Sequence, residues 1–212
     1  MSNPTASSHN PAAHDPTAHN PAAHNPAAHD PASHDSAGSP VRRLLAVNAT
    51  QLEQLAEVLI DCVEGGASVS FMLPLTRERA LHFWRGVADD VVSGARALLV
   101  AEDGGGICGT VQLVLQQTDN QPHRADLAKM LVHRRARRRG LGTALMRAAE
   151  STARDCGKTL LVLDTAADDA ERLYEREGWV RLGSIPGYAL LPQGGLCATT
   201  FYYRELGGLE AM

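Results

Sequence analysis

Ten residues, Arg134 to Thr143, read RRARRRGLGT: five arginines, two glycines one residue apart, and a threonine. An apolar run from Leu127 to Val132 precedes them and reads as a strand bounded by charge. After them Leu141, Ala144, Leu145, Ala148 and Ala149 recur at the spacings of one amphipathic helix face. The segment from Asp126 to Glu150 is therefore strand, basic glycine turn, helix. Glycine lets a backbone turn tightly and approach a ligand without a side-chain clash. The first amides of a helix lack partners within it, and with the helix dipole they favour an anion. Arginines beside them add charge-assisted bonds to phosphate oxygens. The chemistry these residues suit is the holding of a pyrophosphate.

Three kinds of cradle use such parts. A Walker loop needs Lys and then Ser or Thr after its last glycine, whereas Thr143 follows Gly142 with no lysine between. A dinucleotide fold needs G-x-G-x-x-G in a tight turn directly after a strand, with an acidic residue about 20 positions on. Asp164 lies near that distance, but Leu145 holds the place of the third glycine and too many residues separate Val132 from Gly140. The third cradle is the acetyl-coenzyme A loop, R-x-x-G-x-G/A, and Arg137-Arg138-Arg139-Gly140-Leu141-Gly142 fits it throughout. Here the segment resembles motif A of the GNAT superfamily of N-acetyltransferases.

The elements that must position this turn follow from patterning. Val41 to Val47 reads as a strand. Thr50 and Glu53 read as a capping box opening a helix with Leu52, Leu55, Ala56, Leu59 and Val63 inward, stopped by Gly65-Gly66. A second helix runs from near Thr76 to about Ser93, with Ala80, Phe83, Val87 and Val91 inward. Between them GGASVSFMLP is an apolar loop of the kind that meets a ligand near a cleft. Ala97 to Ala101 and Ile107 to Gln116 form a hairpin about the turn at Asp103 to Gly106. Past the motif helix come a strand over Thr159 to Leu163, a short helix over Asp168 to Arg176, and a strand from Trp179 to about Ile185. Turns are expected at Pro186-Gly187-Tyr188 and Gly194-Gly195, and Thr199 to Glu205 closes the sheet.

That order of elements is the acetyltransferase topology. Leu173-Tyr174-Glu175-Arg176-Glu177-Gly178-Trp179 is similar to motif B of the same family. The resemblance covers about residues 41 to 206. GGASVSFM, AEDGGG, RADLAKMLV, LLVLDT and LGSIPGYAL further resemble the tabtoxin-resistance branch. The implied fold is α/β: a mixed, mostly antiparallel twisted sheet of about seven strands flanked by about four helices. The implied reaction moves acetyl from acetyl-CoA, a cosubstrate, to the amino group of a small amino-acid-like molecule, in self-protection or resistance to a toxin such as tabtoxinine-β-lactam. Two alternatives stand beside it: an acetyl-CoA-binding sensor without turnover, and an acetyltransferase of a peptide or protein amino group. A nucleic-acid module built on the arginine turn, and a dinucleotide-dependent oxidoreductase, are more distant.

An amine attacks a thioester only as the free base, so a carboxylate or an ordered water must take its proton. Asp126 begins the central strand, and Asp164 stands at the carboxyl end of the next, where open α/β sheets place their chemistry. By resemblance both line the acceptor side, as base or as positioner of the amine. The plain structural alternatives are a surface charge beside Arg124 for the first and a helix cap with Thr165 for the second. Tyr174 is implied as proton donor to the leaving thiolate; as a bare residue it reads as a core aromatic. The backbone at Met130, Leu131 and Val132 is implied to hold the pantetheine arm and the oxyanion. Arg137 through Thr143 are implied to hold the pyrophosphate.

The rest of the chain bounds these readings. In 212 residues the natural division is a tail over 1–39 and one catalytic domain over 40–208. From His9 to Asp35 a five-residue unit repeats, HNPAA and its variants, carrying six of the nine histidines: His9, His14, His19, His24, His29 and His34. Phe, Trp, Tyr and branched aliphatic residues are absent there, so the tail is expected to be disordered and solvated. A rigid frame for a metal is missing from that pattern, and no metal is expected. Neither a signal peptide nor a membrane span is legible. Four dispersed cysteines without a C-x-x-C pair suit reduced thiols in a cytoplasmic protein. A formal net charge of −4 makes the arginine cluster a local patch and argues against a nucleic-acid partner. The expected assembly is a monomer or homodimer.

Overall fold

A computed structural model describes residues 41–207. The histidine-rich segment, read above as a disordered tail, lies outside the described residues. In chain order the elements are β1 (Val41–Leu44), α1 (Ala49–Glu64), α2 (Arg77–Val92), β2 (Arg96–Asp103), β3 (Gly106–Val114) and β4 (Arg124–Val132). A short 3₁₀ turn (Arg134–Ala136) then leads to α3 (Leu141–Asp155), β5 (Leu160–Thr165), α4 (Asp168–Arg176), β6 (Val180–Leu190) and β7 (Leu196–Glu205). The seven strands form one sheet in the order β1-β2-β3-β4-β5-β7-β6. Only β4 and β5 run parallel, and every other pairing is antiparallel. The expected fold class, α/β with a mixed, mostly antiparallel sheet and four α-helices, is the observed one.

Alternation along the central strands splits the core between the two faces of the sheet. One cluster gathers Leu55, Leu59, Trp84 and Val87 of α1 and α2 over Leu98, Val100 and Ile107. The other gathers Leu145, Met146, Ala149 and Ala153 of α3 with Tyr174 and Trp179 over Leu99, Val111, Leu113, Leu127 and Leu161. β2 and β3 contribute to both clusters, which is why their residues are buried almost without a break.

Several local expectations are corrected. β1 ends at Leu44, short of Val47. The capping box of α1 is formed by Asn48 and Gln51, not Thr50 and Glu53. Each of the two side chains bonds the other's backbone N–H at 2.9 Å. Glu53 instead pairs with Arg77 across the helix pair, 2.6 Å apart. On α2 it is Trp84 that is fully buried, while Phe83 is half-buried between Phe71 and Trp84 in edge-on contacts of 5.3 and 5.1 Å. Pro186-Gly187-Tyr188 does not turn the chain. β6 runs through it as a bulged strand, its register slipping between Ile185 and Ala189, with Gly187 in the left-handed region at φ 64°. At the sheet edge proline's missing N–H costs no ladder bond, so this dipeptide does not break the strand.

Two irregularities in the sheet prepare a site. β4 and β5 pair over three rungs only, Arg124 to Asp126 against Leu160 to Val162. Beyond Asp126, β4 carries on to Val132 without a partner on that side. Opposite β3, the register shifts between Thr110 and Gln112, so Lys129 and Met130 bulge against Val111, and Lys129 takes φ 48°. A bulge bends the strand and re-aims its side chains.

Candidate active site

The basic turn divides into structural and open parts. Arg134 is held by Asp61, whose carboxylate accepts from its backbone N–H and its Nε, both at 2.8 Å. Burial pushes the Asp61 carboxyl up, but the bonds from Arg134 and the charges of His133 and Arg134 more than offset it, and the net shift is downward. Arg135 binds Asp103 at 2.6 Å in the β2–β3 turn, which holds that carboxyl below its ordinary range. These two arginines fasten the turn to the body and are not part of a cradle.

Past them the backbone opens. Arg138 and Gly140 both lie in the left-handed region, at φ 61° and 78°. Gly140 is the N-cap of α3 and supplies no side-chain bond, so the first turn of that helix is left uncapped. It faces a cavity of about 1030 Å³ lined by Arg137, Arg138, Gly140, Leu141, Gly142 and Thr143 on one side. Leu173 and Arg176 of α4 and the loop at Ala166 and Ala167 form another side, and Met130, Leu131 and Val132 a third. Nine of the ten residues expected to hold a coenzyme thus surround one space; Arg139 does not line it, and its charge acts on Asp103. A Cβ on Gly142 would come within 3.0 Å of Leu173 Cδ2, which leaves room there for little more than hydrogen. Thr143 spends its hydroxyl on Glu177, at 3.1 Å, tying α3 to the end of α4. A helix N-terminus favours an anion by roughly 0.3–1 kcal/mol, while each bond to a charged group is worth about 1.5–3 kcal/mol. Amides and arginines together are what this end of the cavity offers.

The residues expected at the chemistry lie on the sheet. Parallel register sets Asp126 beside Val162, and Asp164, two residues on, falls on the same face one step diagonally away. Asp126 is engaged: its Oδ2 accepts from Gln117 Nε2 at 3.2 Å and from Arg124 Nη2 at 3.4 Å. No side chain among the described residues bonds the Asp164 carboxylate. Burial raises the Asp164 pKa, the Lys129 charge opposes that, and the Asp126 charge adds to it, for a net upward shift. Phe201 is its neighbour on β7, in edge-on contact with Tyr188 at 5.6 Å.

Lys129 was missed in the sequence, where it is one polar residue inside an apolar strand. The bulge brings its Nζ to Ser70 Oγ, 3.1 Å away in the α1–α2 loop, and over the Phe83 ring at 5.9 Å. Burial is the main cause of a lowered Lys129 pKa. The apolar loop itself packs on the β6–β7 hairpin: Leu73 N–H donates to Pro192 O at 2.9 Å and Ser68 Oγ to Leu190 O at 3.3 Å. Its first residues, Gly65 to Ala67, line the cavity.

Tyr174 stands apart from the cavity wall. Its ring is 5 % exposed and packs against Trp179 and Tyr202, centroids 6.0 and 5.6 Å apart. Burial drives its pKa far up, with the charges of Asp164 and Tyr202 adding to the shift. The hydroxyl is therefore protonated at any physiological pH and lies within electrostatic reach of Asp164. Tyr202 differs: its hydroxyl donates to Glu171 at 3.0 Å, and burial with that bond raises it to about 12. Among the described residues no cluster of three or more His, Cys, Asp or Glu is arranged to hold a metal, and no helix is long and apolar enough to cross a membrane.

The fold is shared with known proteins. A model of the acetyltransferase (GNAT) family matches residues 64–179, the end of α1 through Trp179. The chain belongs to that family of acetyl-CoA-dependent transferases. It is 33% identical over 126 residues, 58% of its own length and 73% of the other's, to an uncharacterized N-acetyltransferase of the hisH–hisA intergenic region of Azospirillum brasilense. Among solved structures it matches yncA of Salmonella typhimurium, described as an acetyltransferase with its cofactor acetyl-CoA. That match has TM-score 0.65 and 19% identity, over 81% of this chain and 97% of that one. It also matches a phosphinothricin acetyltransferase of Sinorhizobium meliloti in complex with acetyl-CoA, with TM-score 0.65 and 17% identity, over 79% of this chain and 89% of that one.

Proposed function

We propose that the chain transfers acetyl from acetyl-CoA to the amino group of a small amino-acid-like molecule. The observation that carries this reading is the cavity between the uncapped start of α3 and the unpartnered edge of β4. Pyrophosphate suits the amides of Leu141 to Thr143 with Arg137 and Arg138 beside them, Arg139 adding charge from outside the cavity wall. The pantetheine arm, itself an amide chain, suits the side of β4 that has no strand partner at Met130 and Leu131, as an added strand would. It would run up to Val132, whose carbonyl accepts from Arg137 Nε at 3.1 Å. That course carries the thioester toward Asp126 and Asp164. Phosphinothricin, the acceptor named for the Sinorhizobium protein, is a small amino acid analogue, and tabtoxinine-β-lactam belongs to the same chemical class.

In the reading proposed here Asp164 receives the amine, because no described side chain bonds its carboxylate and its raised pKa suits a base. Asp126, tied to Gln117 and Arg124, positions rather than abstracts. The amine nitrogen attacks the thioester carbon, the N–C bond forms, and the oxyanion is met by backbone N–H of the β4 bulge. The C–S bond then breaks, the thiolate takes a proton from Tyr174, and the amide product and free coenzyme leave.

The test is a panel of amino acids, amino acid analogues, peptides and simple amines incubated with acetyl-CoA, with free thiol as the readout. Amine-dependent thiol release is expected, strongest for a small amino acid or analogue. Tight acetyl-CoA binding without release for any amine would replace this reading with that of a sensor.

A further inference from the structure

Asp164 stands two residues beyond the last β4–β5 rung, Asp126 opposite Val162, and Lys129 follows Asp126 by three residues on the neighbouring β4, so the splayed ends of the two strands carry opposite charges. Lys129 acts electrostatically on Asp164, yet no ion pair joins them. A lysine whose role was to neutralise Asp164 would close on it, and a lysine that only filled space would leave its ammonium in water. Lys129 does neither. It is held in a left-handed backbone conformation that a side chain rarely adopts, at a bulge, with its ammonium on Ser70, itself at φ 75°. Strained residues of this kind persist where the surroundings over-determine them, and they cluster at ligand sites. An ammonium has three N–H donors, and Ser70 takes one. On the other side the Asp164 carboxylate has acceptor capacity that no described side chain fills. An ammonium with two donors to spare and a carboxylate with acceptor capacity to spare, on neighbouring strand ends, match a molecule that carries both a carboxylate and an amine.

Resting on the transferase reading above, we propose that Lys129, supported by Ser70, binds the carboxylate of the acceptor while Asp164 binds its amine. The acceptor is accordingly a free amino acid or amino acid analogue held as a zwitterion. A peptide amino terminus, whose nearest carbonyl is an amide, and a carboxylate-free amine leave Lys129 unanswered in a half-buried position. The site should discriminate against both. A buried charged group left without its partner is the strongest form of such discrimination. Lys129 thus acts as a specificity-determining residue.

The experiment compares kcat/KM for L-amino acids with that for their own carboxamides, in the full chain and its variants. The amide lowers the basicity of the amine, but it does so equally for every enzyme, so the acid-to-amide ratio relative to wild type isolates the carboxylate contact. The expected results are preference for the acid in wild type, a ratio lowered about tenfold or more in Lys129→Met, and partial recovery in Lys129→Arg. Ser70→Ala should lower the ratio less and in the same direction, and it serves as the measurement should Lys129→Met not fold. A ratio unchanged in Lys129→Met, or in Ser70→Ala where that variant alone folds, overturns the proposal. So does a panel in which neutral amines are acetylated and amino acids are not, although the transferase reading survives it. Absence of thiol release with every amine tested removes the transferase reading itself, and this proposal with it.

Discussion

The coenzyme end and the acceptor end of the site are made of different material. At the end proposed for the coenzyme the groups on offer are backbone amides at the start of α3 and along β4, with exposed arginines around them. There the sequence matters mostly through what it leaves out, a side chain at Gly142 and a cap at Gly140. At the end proposed for the acceptor the groups are side chains, the exposed carboxylate of Asp164 on β5 and the half-buried Lys129 of β4 beside the α1–α2 loop. The first end should be damaged by adding atoms and the second by removing a charge or a proton. Backbone sites suit a ligand common to many relatives, and side-chain sites suit the ligand that differs.

Variants can break that contrast, beginning with the largest effect. Tyr174→Phe removes the proton donor proposed above, one that would matter only as charge develops on sulfur, so kcat should fall about 10²–10⁴-fold, with acetyl-CoA affinity nearly unchanged. Near-normal kcat would mean that the thiolate leaves unassisted, and that Tyr174 is the core aromatic its burial suggests. Asp164→Asn should lower kcat/KM for the amine by roughly 10²-fold or more, and raising the pH should partly restore it by supplying free base from solution. In wild type, kcat/KM should fall as pH drops through the raised Asp164 pKa, because a protonated carboxyl cannot accept. The same shift carries a stability sign. A folded pKa above the unfolded one means the native state binds more protons between the two, so ionisation of Asp164 lowers stability as pH rises through that window. Asp164→Asn should therefore melt no lower than wild type at neutral pH, and a clear loss of Tm would place Asp164 among structural residues.

Asp61 supplies the opposite sign. Its pKa is lowered in the folded state, so its contribution is present above the unfolded pKa and fades as pH falls through the folded one. Asp61→Ala should lower Tm by roughly 5 °C at neutral pH and raise the Kd for acetyl-CoA through the loosened Arg134 turn, with kcat little changed. A melt identical to wild type would mean Arg134 is fastened elsewhere. The smallest effect is expected from deleting residues 1–38: the segment has no branched aliphatic or aromatic side chain to dock, so kcat and Tm should match the full chain. A loss of several degrees or of most activity would show that it packs on the domain.

The same contrast explains what the sequence could reveal. The glycine turn is contiguous, and its geometry follows from Gly140, Gly142 and the helix stripe behind them, so the open turn and the strand–turn–helix order were legible. Helix α4 and the hairpin at Asp103 to Gly106 were legible for the same local reason. Arg134 and Arg135 look like Arg137 in sequence, and only partners on distant elements, Asp61 and Asp103, set them apart. The role of Lys129 depends on a bulge one residue wide and on Ser70, 59 residues earlier, neither of which leaves a local trace. Pro186-Gly187 reads as a turn by composition and is a strand because it lies on the sheet edge, a fact of topology rather than of spacing.

The central claim is that the Arg137–Thr143 turn holds acetyl-CoA through its backbone, and calorimetric titration of acetyl-CoA into wild type and Gly142→Val tests it most directly. A Cβ at that position already meets Leu173 Cδ2 at 3.0 Å, and valine adds two further methyl groups beside the cavity that Gly142 lines. Wild type should bind with measurable heat and Gly142→Val with none, while both show the same cooperative far-ultraviolet melt. Equal affinity in a folded Gly142→Val would contradict the account, because the coenzyme would then have to be held somewhere other than this turn.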